Sequence, residues 1–224
     1  TTPNFKGNPN LVPELAWSLD LGYERYVPQG GFWGANVYLR KIRNVVLQSL
    51  TQDSSGTWFR IPYNNGQAQV MGLELEAKGR LRDHWPAAPQ IAWRAASSFN
   101  HSRVDNIPGP RNVLAQQPRQ STTLGLDHTL PPSGWSWGLT WVRESADWVR
   151  TTAELSQKNT GKRQWDVYAQ KDLGKGRSWR VSVLNVSQPD LISQSVYDGP
   201  SLRQSQYERF RQGRSLRLAL DWPL

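Results

Sequence analysis

Asn8-Pro9-Asn10-Leu11-Val12-Pro13-Glu14 leads directly into Leu15-Ala16-Trp17-Ser18-Leu19-Asp20-Leu21-Gly22-Tyr23-Glu24. From Trp17 the second stretch alternates, with Trp17, Leu19, Leu21 and Tyr23 on one side and Ser18, Asp20, Gly22 and Glu24 on the other. Successive side chains of a strand point to opposite faces, so the pattern predicts a strand with one apolar and one polar wall. Pro9 and Pro13 lack the N–H that a central ladder needs, and mark an irregular lead-in.

The same period returns along the chain. A second strand starts near Phe32, with Trp33, Ala35, Val37 and Leu39 on its apolar side, and continues less regularly from Asn44 to Leu50. Residues 67–81 form a third, with Leu73, Leu75 and Ala77 opposite Glu74, Glu76, Lys78 and Arg80. Four charged groups in a row require water, so that wall faces a wet lumen or open solvent. Further strands are predicted at 90–102 (Ile91, Trp93, Ala95, Phe99), 119–130 (Leu124, Leu126, Leu130) and 135–149 (Trp135, Trp137, Leu139, Trp141). The last three centre on Trp165-Val167-Ala169, on Trp179-Val181-Val183 and on Leu216-Leu218-Leu220-Trp222.

The connections fall into two classes. Tyr26-Val27-Pro28-Gln29-Gly30-Gly31, residues 83–89, Pro131-Pro132-Ser133-Gly134 and Gly174-Lys175-Gly176 are short turn signals. Residues 52–65, 106–118, 151–161 and 185–212 are long and polar, the first with an optional strand extension at 58–61. Short turns on one rim and long loops on the other are the organisation of an outer-membrane barrel. The expected fold is therefore all-β, an antiparallel up-and-down transmembrane β-barrel of which about nine strands are present. Complete bacterial barrels have an even count, so at least one strand is expected upstream, and the lack of an initiating Met points to a processed or excised piece.

Composition agrees. No apolar run approaches the roughly 20 residues of a membrane helix. Strands that hide their apolar residues at every second position escape that test. Twelve tryptophans against one methionine suit rims at lipid headgroups. There is no cysteine, which excludes disulfides, thiolate metal sites and cysteine nucleophiles. The 27 Lys and Arg exceed the 18 Asp and Glu, but they are scattered along strands, with no RNP-like or zinc-finger spacing, so nucleic acid is not an expected partner.

Four segments carry a resemblance to TonB-dependent outer-membrane receptors. Asn8 to Glu14 resembles their NPxLxPE segment, and Gly72-Leu73-Glu74-Leu75-Glu76-Ala77 resembles their "GvElea" strand. Asp166 to Asn185, with the Leu173-Gly174-Lys175-Gly176 hairpin, is similar to their penultimate strand pair. Gly213-Arg214-Ser215-Leu216-Arg217-Leu218-Ala219-Leu220 is similar to their closing strand. The resemblance implies that residues 1–224 are the C-terminal part of a 22-stranded barrel. It also implies that a plug domain and the N-terminal strands lie elsewhere, that TonB engages that missing part, and that the cargo is a scarce nutrient such as a ferric siderophore. Family members usually end on an aromatic residue read by assembly machinery, whereas here Pro223-Leu224 follows Trp222.

Chemistry is sparse. His84, His101 and His128 share no metal-ligand spacing on one element, and no catalytic constellation stands out, so neither a metal site nor enzymatic activity is expected and no cofactor is implied. The ligand candidates are loop aromatics and cations: Trp58, Arg60 and Tyr63; Arg103 and Arg111; Trp148 and Arg150; Tyr197, Arg203, Tyr207, Arg209 and Arg211. Aromatic bodies beside guanidinium groups suit planar or anionic ligands such as metal chelates. The same residues equally suit anchoring in outer-membrane lipid and contacts with lipopolysaccharide phosphates. A passive channel or adhesin barrel fits the same sequence features, as does a soluble carbohydrate-binding β-protein, which would bury its tryptophans.

Overall fold

The computed structural model describes residues 3–27, 30–115, 117–200 and 202–222. Pro28 and Gln29 of the first predicted turn, and Pro223-Leu224, lie outside the described residues. The strands in chain order are β1 (Asn4–Phe5), β2 (Leu15–Tyr26), β3 (Phe32–Arg43), β4 (Val46–Gln52), β5 (Trp58–Asn64), β6 (Gln67–Arg80), β7 (Gln90–Val104) and β8 (Gln120–Leu130). They continue as β9 (Trp135–Glu144), β10 (Trp148–Arg150), β11 (Leu155–Asn159), β12 (Arg163–Gly174), β13 (Arg177–Leu184), β14 (Leu191–Asp198), β15 (Arg203–Phe210) and β16 (Ser215–Asp221).

Nine of them form one antiparallel sheet in the order β16-β13-β12-β9-β8-β7-β6-β3-β2, with β2 and β16 as its open edges. Its register keeps the predicted apolar stripes together. Leu126, Leu139, Val167, Val183 and Leu216 form one cross-strand row, and Leu124, Trp141 and Trp165 form the next. These side chains are not packed against a second layer: Leu21 is 74% and Leu216 76% exposed, and Trp17 and Trp137 are exposed as well. A soluble sandwich would bury this face. An exposed apolar belt spanning nine strands is what a barrel presents to acyl chains. The opposite wall carries Asn36, Tyr38, Glu74, Glu76, Arg94, Asp127 and Tyr168, where water or polar partners satisfy the charges.

The rims differ as the sequence predicts. One is closed by tight devices: a 3₁₀ turn at Leu81–Asp83, a second at Pro131–Ser133 ending on left-handed Gly134 (φ 66°), and the Lys175-Gly176 hairpin, where both residues have positive φ. At the other rim the strand predictions need correcting. The second strand does not run on from Asn44 to Leu50; it stops at Arg43, and Asn44 adopts a left-handed φ of 58°, which Asn tolerates. Val45 then turns inward to be buried, and β4 pairs with β5 in a separate sheet of order β1-β5-β4. The sixth strand likewise ends at Glu144, not Val149. The stretches predicted as irregular at 52–65, 151–161 and 185–212 contain β5, β11, β14 and β15, the last three of which join β10 in a four-stranded sheet, β10-β11-β14-β15.

The sole hydrophobic core among the described residues sits where these loops fold over the inner wall: Val45, Ala68, Val104 and Ile107, with Ile42, Leu47 and Leu114 packed around them. Ala68 and Val104 belong to the main sheet, and Ile107 to the loop after β7. The lead-in segment is tied to the same region. Asn8 Nδ2 donates to the Pro62 carbonyl at 3.0 Å, Asn64 Nδ2 donates to the Val12 and Asn44 carbonyls at 2.9 and 2.8 Å, and Glu14 Oε1 accepts the Val46 N–H at 2.5 Å.

The exposed belt makes a direct prediction. In lipid, single-tryptophan versions of the complete protein retaining Trp17, Trp137 or Trp165 should be quenched by brominated acyl chains. Quenching by aqueous iodide in place of bromine would remove the membrane-facing assignment.

Candidate functional site

Above the core, the loop sheets enclose two adjoining depressions of about 340 and 100 Å³. Leu50, Arg60, Leu155 and Gln157 line both. Ile107, Val113 and Arg150 complete the larger, and Trp58, Tyr197, Gln204 and Gln206 the smaller. Their architecture follows from strand alternation. Trp58 and Arg60 stand two residues apart on β5, so they share a face with Leu50, the residue paired with Arg60 on β4. Tyr197 pairs with Leu155 on one side and Gln204 on the other, which sets a row across β11, β14 and β15 facing the same space. The Trp58 and Tyr197 rings meet edge to face at 5.7 Å, joining the three-stranded sheet to the four-stranded one.

Of the sequence candidates, four converge here: Trp58, Arg60, Arg150 and Tyr197. Arg150 is also a structural latch. Its Nη1 donates to the Pro108 and Gly109 carbonyls at 3.2 Å each, and its backbone N–H donates to the Arg111 carbonyl at 2.8 Å, so Arg150 and Arg111 pin the loop after β7 to β10. Tyr63 occupies the opposite face of β5, beside Leu47, and accepts a hydrogen bond from Asn65 Nδ2 at 3.1 Å. Burial, aided by the Glu154 carboxylate, raises its pKa above that of a free phenol.

The remaining candidates are placed elsewhere. Arg203, Tyr207 and Arg209 alternate with Gln204, Gln206 and Glu208, and so fall on the face of β15 away from the depressions. Arg209 makes a two-nitrogen contact with Asp190, and Arg203 lies 4.0 Å from Asp198. Arg211 is exposed just beyond β15. Trp148 pairs with Lys158 and Arg150 with Ser156, so both stand on the sheet face opposite Leu155 and Gln157, and Arg150 borders the larger depression only where it reaches the loop after β7. Arg103 sits on the outer, apolar face of β7, 3.8 Å from Asp105. Sequence reasoning missed Leu50, Leu155, Gln157, Gln204 and Gln206. The alternation Arg203-Gln204-Ser205-Gln206-Tyr207-Glu208-Arg209-Phe210 was the available signal, a strand period inside a stretch read as loop.

The hairpin that carries Trp58 is closed by Asp53, which accepts from the Ser55 hydroxyl at 2.6 Å and from the Ser55 and Thr57 N–H groups at 2.9 Å. These bonds, the Ser55 hydroxyl first, hold its pKa below the usual aspartate value. Among the described residues no three His, Asp or Glu side chains gather as metal ligands. The surface offers an aromatic pair, the Arg60 guanidinium, aliphatic walls and primary amides. Such a set is chemically suited to a partly planar, partly anionic molecule, through stacking and charge-assisted hydrogen bonds.

Residues 1–186 match the family model described as TonB dependent receptor-like, beta-barrel. No curated protein matches the sequence. Among solved structures the chain is similar to the copper transporter OprC, with 17% identity and a TM-score of 0.66 over 97% of this chain and 33% of that one. It is also similar to the outer membrane transporter YddB from Escherichia coli, with 15% identity and a TM-score of 0.59 over 99% of this chain and 34% of that one. The FrpB iron transporter from Neisseria meningitidis (F3-3 variant) aligns with 15% identity and a TM-score of 0.62, over 98% and 32%. The chain thus spans about a third of the length of each of these proteins. At these identities the likeness is one of fold.

Proposed function

The chain belongs to the TonB-dependent receptor-like β-barrel family, and from that premise we propose that it is the C-terminal barrel portion of an outer-membrane transporter for a metal chelate, a ferric siderophore being the leading cargo. On this reading a plug domain and the remaining strands complete the molecule, TonB drives it through that other part, and the protein binds and moves its cargo without chemical change. The observation that carries the reading is the conjunction of the exposed apolar belt, the polar inner wall and the aromatic–guanidinium depression on the long-loop rim. The solved neighbours described as copper and iron transporters support metal-linked cargo in general and do not choose between metals.

Arg60 is the cation to test, because it lines both depressions and, among the described residues, its side chain makes no ion pair. In the complete receptor, Arg60→Ala should weaken binding of an anionic chelate roughly ten- to hundredfold, the range for a lost charge-assisted hydrogen bond. Trp58→Ala should weaken it too, whereas the triple change Arg203→Ala, Arg209→Ala, Arg211→Ala should leave affinity nearly unchanged. Titrating ferric and cupric chelates against the three proteins checks this. A large loss confined to the triple variant would move the binding surface to the other face of β15.

A further inference from the structure

On the outer face of the main sheet, one register step beyond the Trp141–Trp165 pair towards the long-loop rim, Arg143 stands directly opposite Arg163. Both are exposed. Like charges in direct cross-strand register repel, and a sheet normally avoids them or bridges them. Neither guanidinium has a carboxylate or other hydrogen-bond partner among the described residues. The neighbour of Arg143 on its other side is uncharged Thr122, and Glu144 projects to the inner wall. Two strand pairs away the pattern recurs: Lys41, Gln69 and Arg103 occupy one outward row at the same rim. The belt below these cations is apolar, so whatever neutralises them approaches from beside the barrel, at the depth where acyl chains give way to headgroups.

We propose that Arg143 and Arg163 form a two-pronged site for a phosphate of lipopolysaccharide in the external leaflet, with the Trp141–Trp165 pair packed against the acyl chains beneath it. The inference rests on the outer-membrane barrel reading above. Two adjacent planar guanidinium groups present parallel N–H donors that match the oxygens of one phosphate. A bound dianion converts the repulsive pair into an attractive triad. The lipid is favoured over a free anion because the site's floor is tryptophan rather than water, so a headgroup carrying its own chains buries apolar area that a free ion cannot.

The test uses the complete receptor in phosphatidylcholine nanodiscs, with and without added lipopolysaccharide, read by thermal melting and by mass spectrometry of retained lipid. Wild type should be stabilised by lipopolysaccharide. The double variant Arg143→Gln, Arg163→Gln should retain about tenfold less of it, or fall further, as expected for losing a two-pronged phosphate contact. Arg143→Glu, which pairs with Arg163 directly, should lose the lipopolysaccharide response while melting no lower than wild type in phosphatidylcholine alone. That variant separates loss of the site from loss of fold. Equal retention by wild type and the double variant would overturn the proposal. So would stabilisation by millimolar inorganic phosphate as large as that by lipopolysaccharide, which would assign the pair to a free anion. Quenching of Trp165 by brominated lipid in the same samples keeps the two claims apart. A quenched Trp165 with unaltered lipid retention sinks this site alone, whereas an unquenched one sinks the barrel reading with it.

Discussion

Leu126→Arg is expected to cost about 2–4 kcal/mol of folded stability, the range for a cation at mid-depth on the lipid face of a barrel. Leu126 sits in the middle of β8, flanked in register by Trp93 and Leu139 on the exposed apolar face. An arginine there has no short path to either rim and no polar partner on its own face. Thr123→Arg, three residues away on the same strand, projects instead into the open polar concavity of about 500 Å³ lined by Glu74, Ser98 and Ser121. That substitution should be tolerated. The contrast is read as heat-modifiable mobility of the complete protein recovered from outer membranes: Leu126→Arg should deplete the folded band and Thr123→Arg should not. Equal tolerance at both positions would mean that the two faces have been assigned the wrong way round.

Gly161→Ala should be nearly as damaging for a different reason. A Cβ at Gly161 would stand 2.0 Å from the Glu144 carbonyl oxygen, 2.8 Å from the Ser145 carbonyl carbon and 3.0 Å from the Ala146 nitrogen. All three are backbone atoms where the chain leaves β9, beside the Glu144 N–H bond to the Lys162 carbonyl at 2.8 Å. No side chain can swing aside, so the relief must come from parting the two strand ends. That places the expected cost at the upper end of overpacking penalties, about 3 kcal/mol. Gly213→Ala, with nothing within 4 Å of its added carbon, is the matched control. Urea titration of both variants in detergent should show a lowered midpoint for Gly161→Ala only; matching midpoints would remove the close approach as a constraint.

The main sheet was legible because its strands carry the strongest periodic signal a sequence offers. Trp17-Leu19-Leu21-Tyr23 and Trp135-Trp137-Leu139-Trp141 alternate without interruption, and every such stripe lies on one face of the sheet. Loop-length segregation then set the order of the strands. The loop sheets were not legible to the same degree. β4 was merged into the preceding strand because Val45-Val46-Leu47 continues an apolar run across Asn44, and nothing but the left-handed φ at Asn44 breaks it. β14 and β15 escaped because their alternation is not one of apolar against polar: Leu191, Ile192 and Val196 are divided between the two faces of β14, and the period in β15 runs through polar residues on both sides. The candidate surface inherits that division. Trp58 and Tyr197 were found by residue type, while the face on which Arg203 and Arg209 lie depends on a register that residue type does not report.

Three of the largest side chains on the inner wall lie across glycines of the adjacent strand. Tyr38 covers Gly72, Arg94 covers Gly125 and Tyr168 covers Gly138, each so closely that a Cβ on the glycine would meet the covering side chain at 2.2–2.5 Å. Tyr168 donates to Asp127 at 2.6 Å while Arg94 holds the other oxygen of that carboxylate at 2.7 Å, so these two flattened side chains are tied down sideways to one another; Tyr38 is tied separately, donating to Asn100 Oδ1 at 2.6 Å. The relief of the inner wall at these three points is therefore governed by backbone positions that carry no side chain. A methyl group at Gly138 would tip an entire phenol ring off the wall, so a change of one carbon would turn a flat stretch of the polar face into a ridge as high as an aromatic ring.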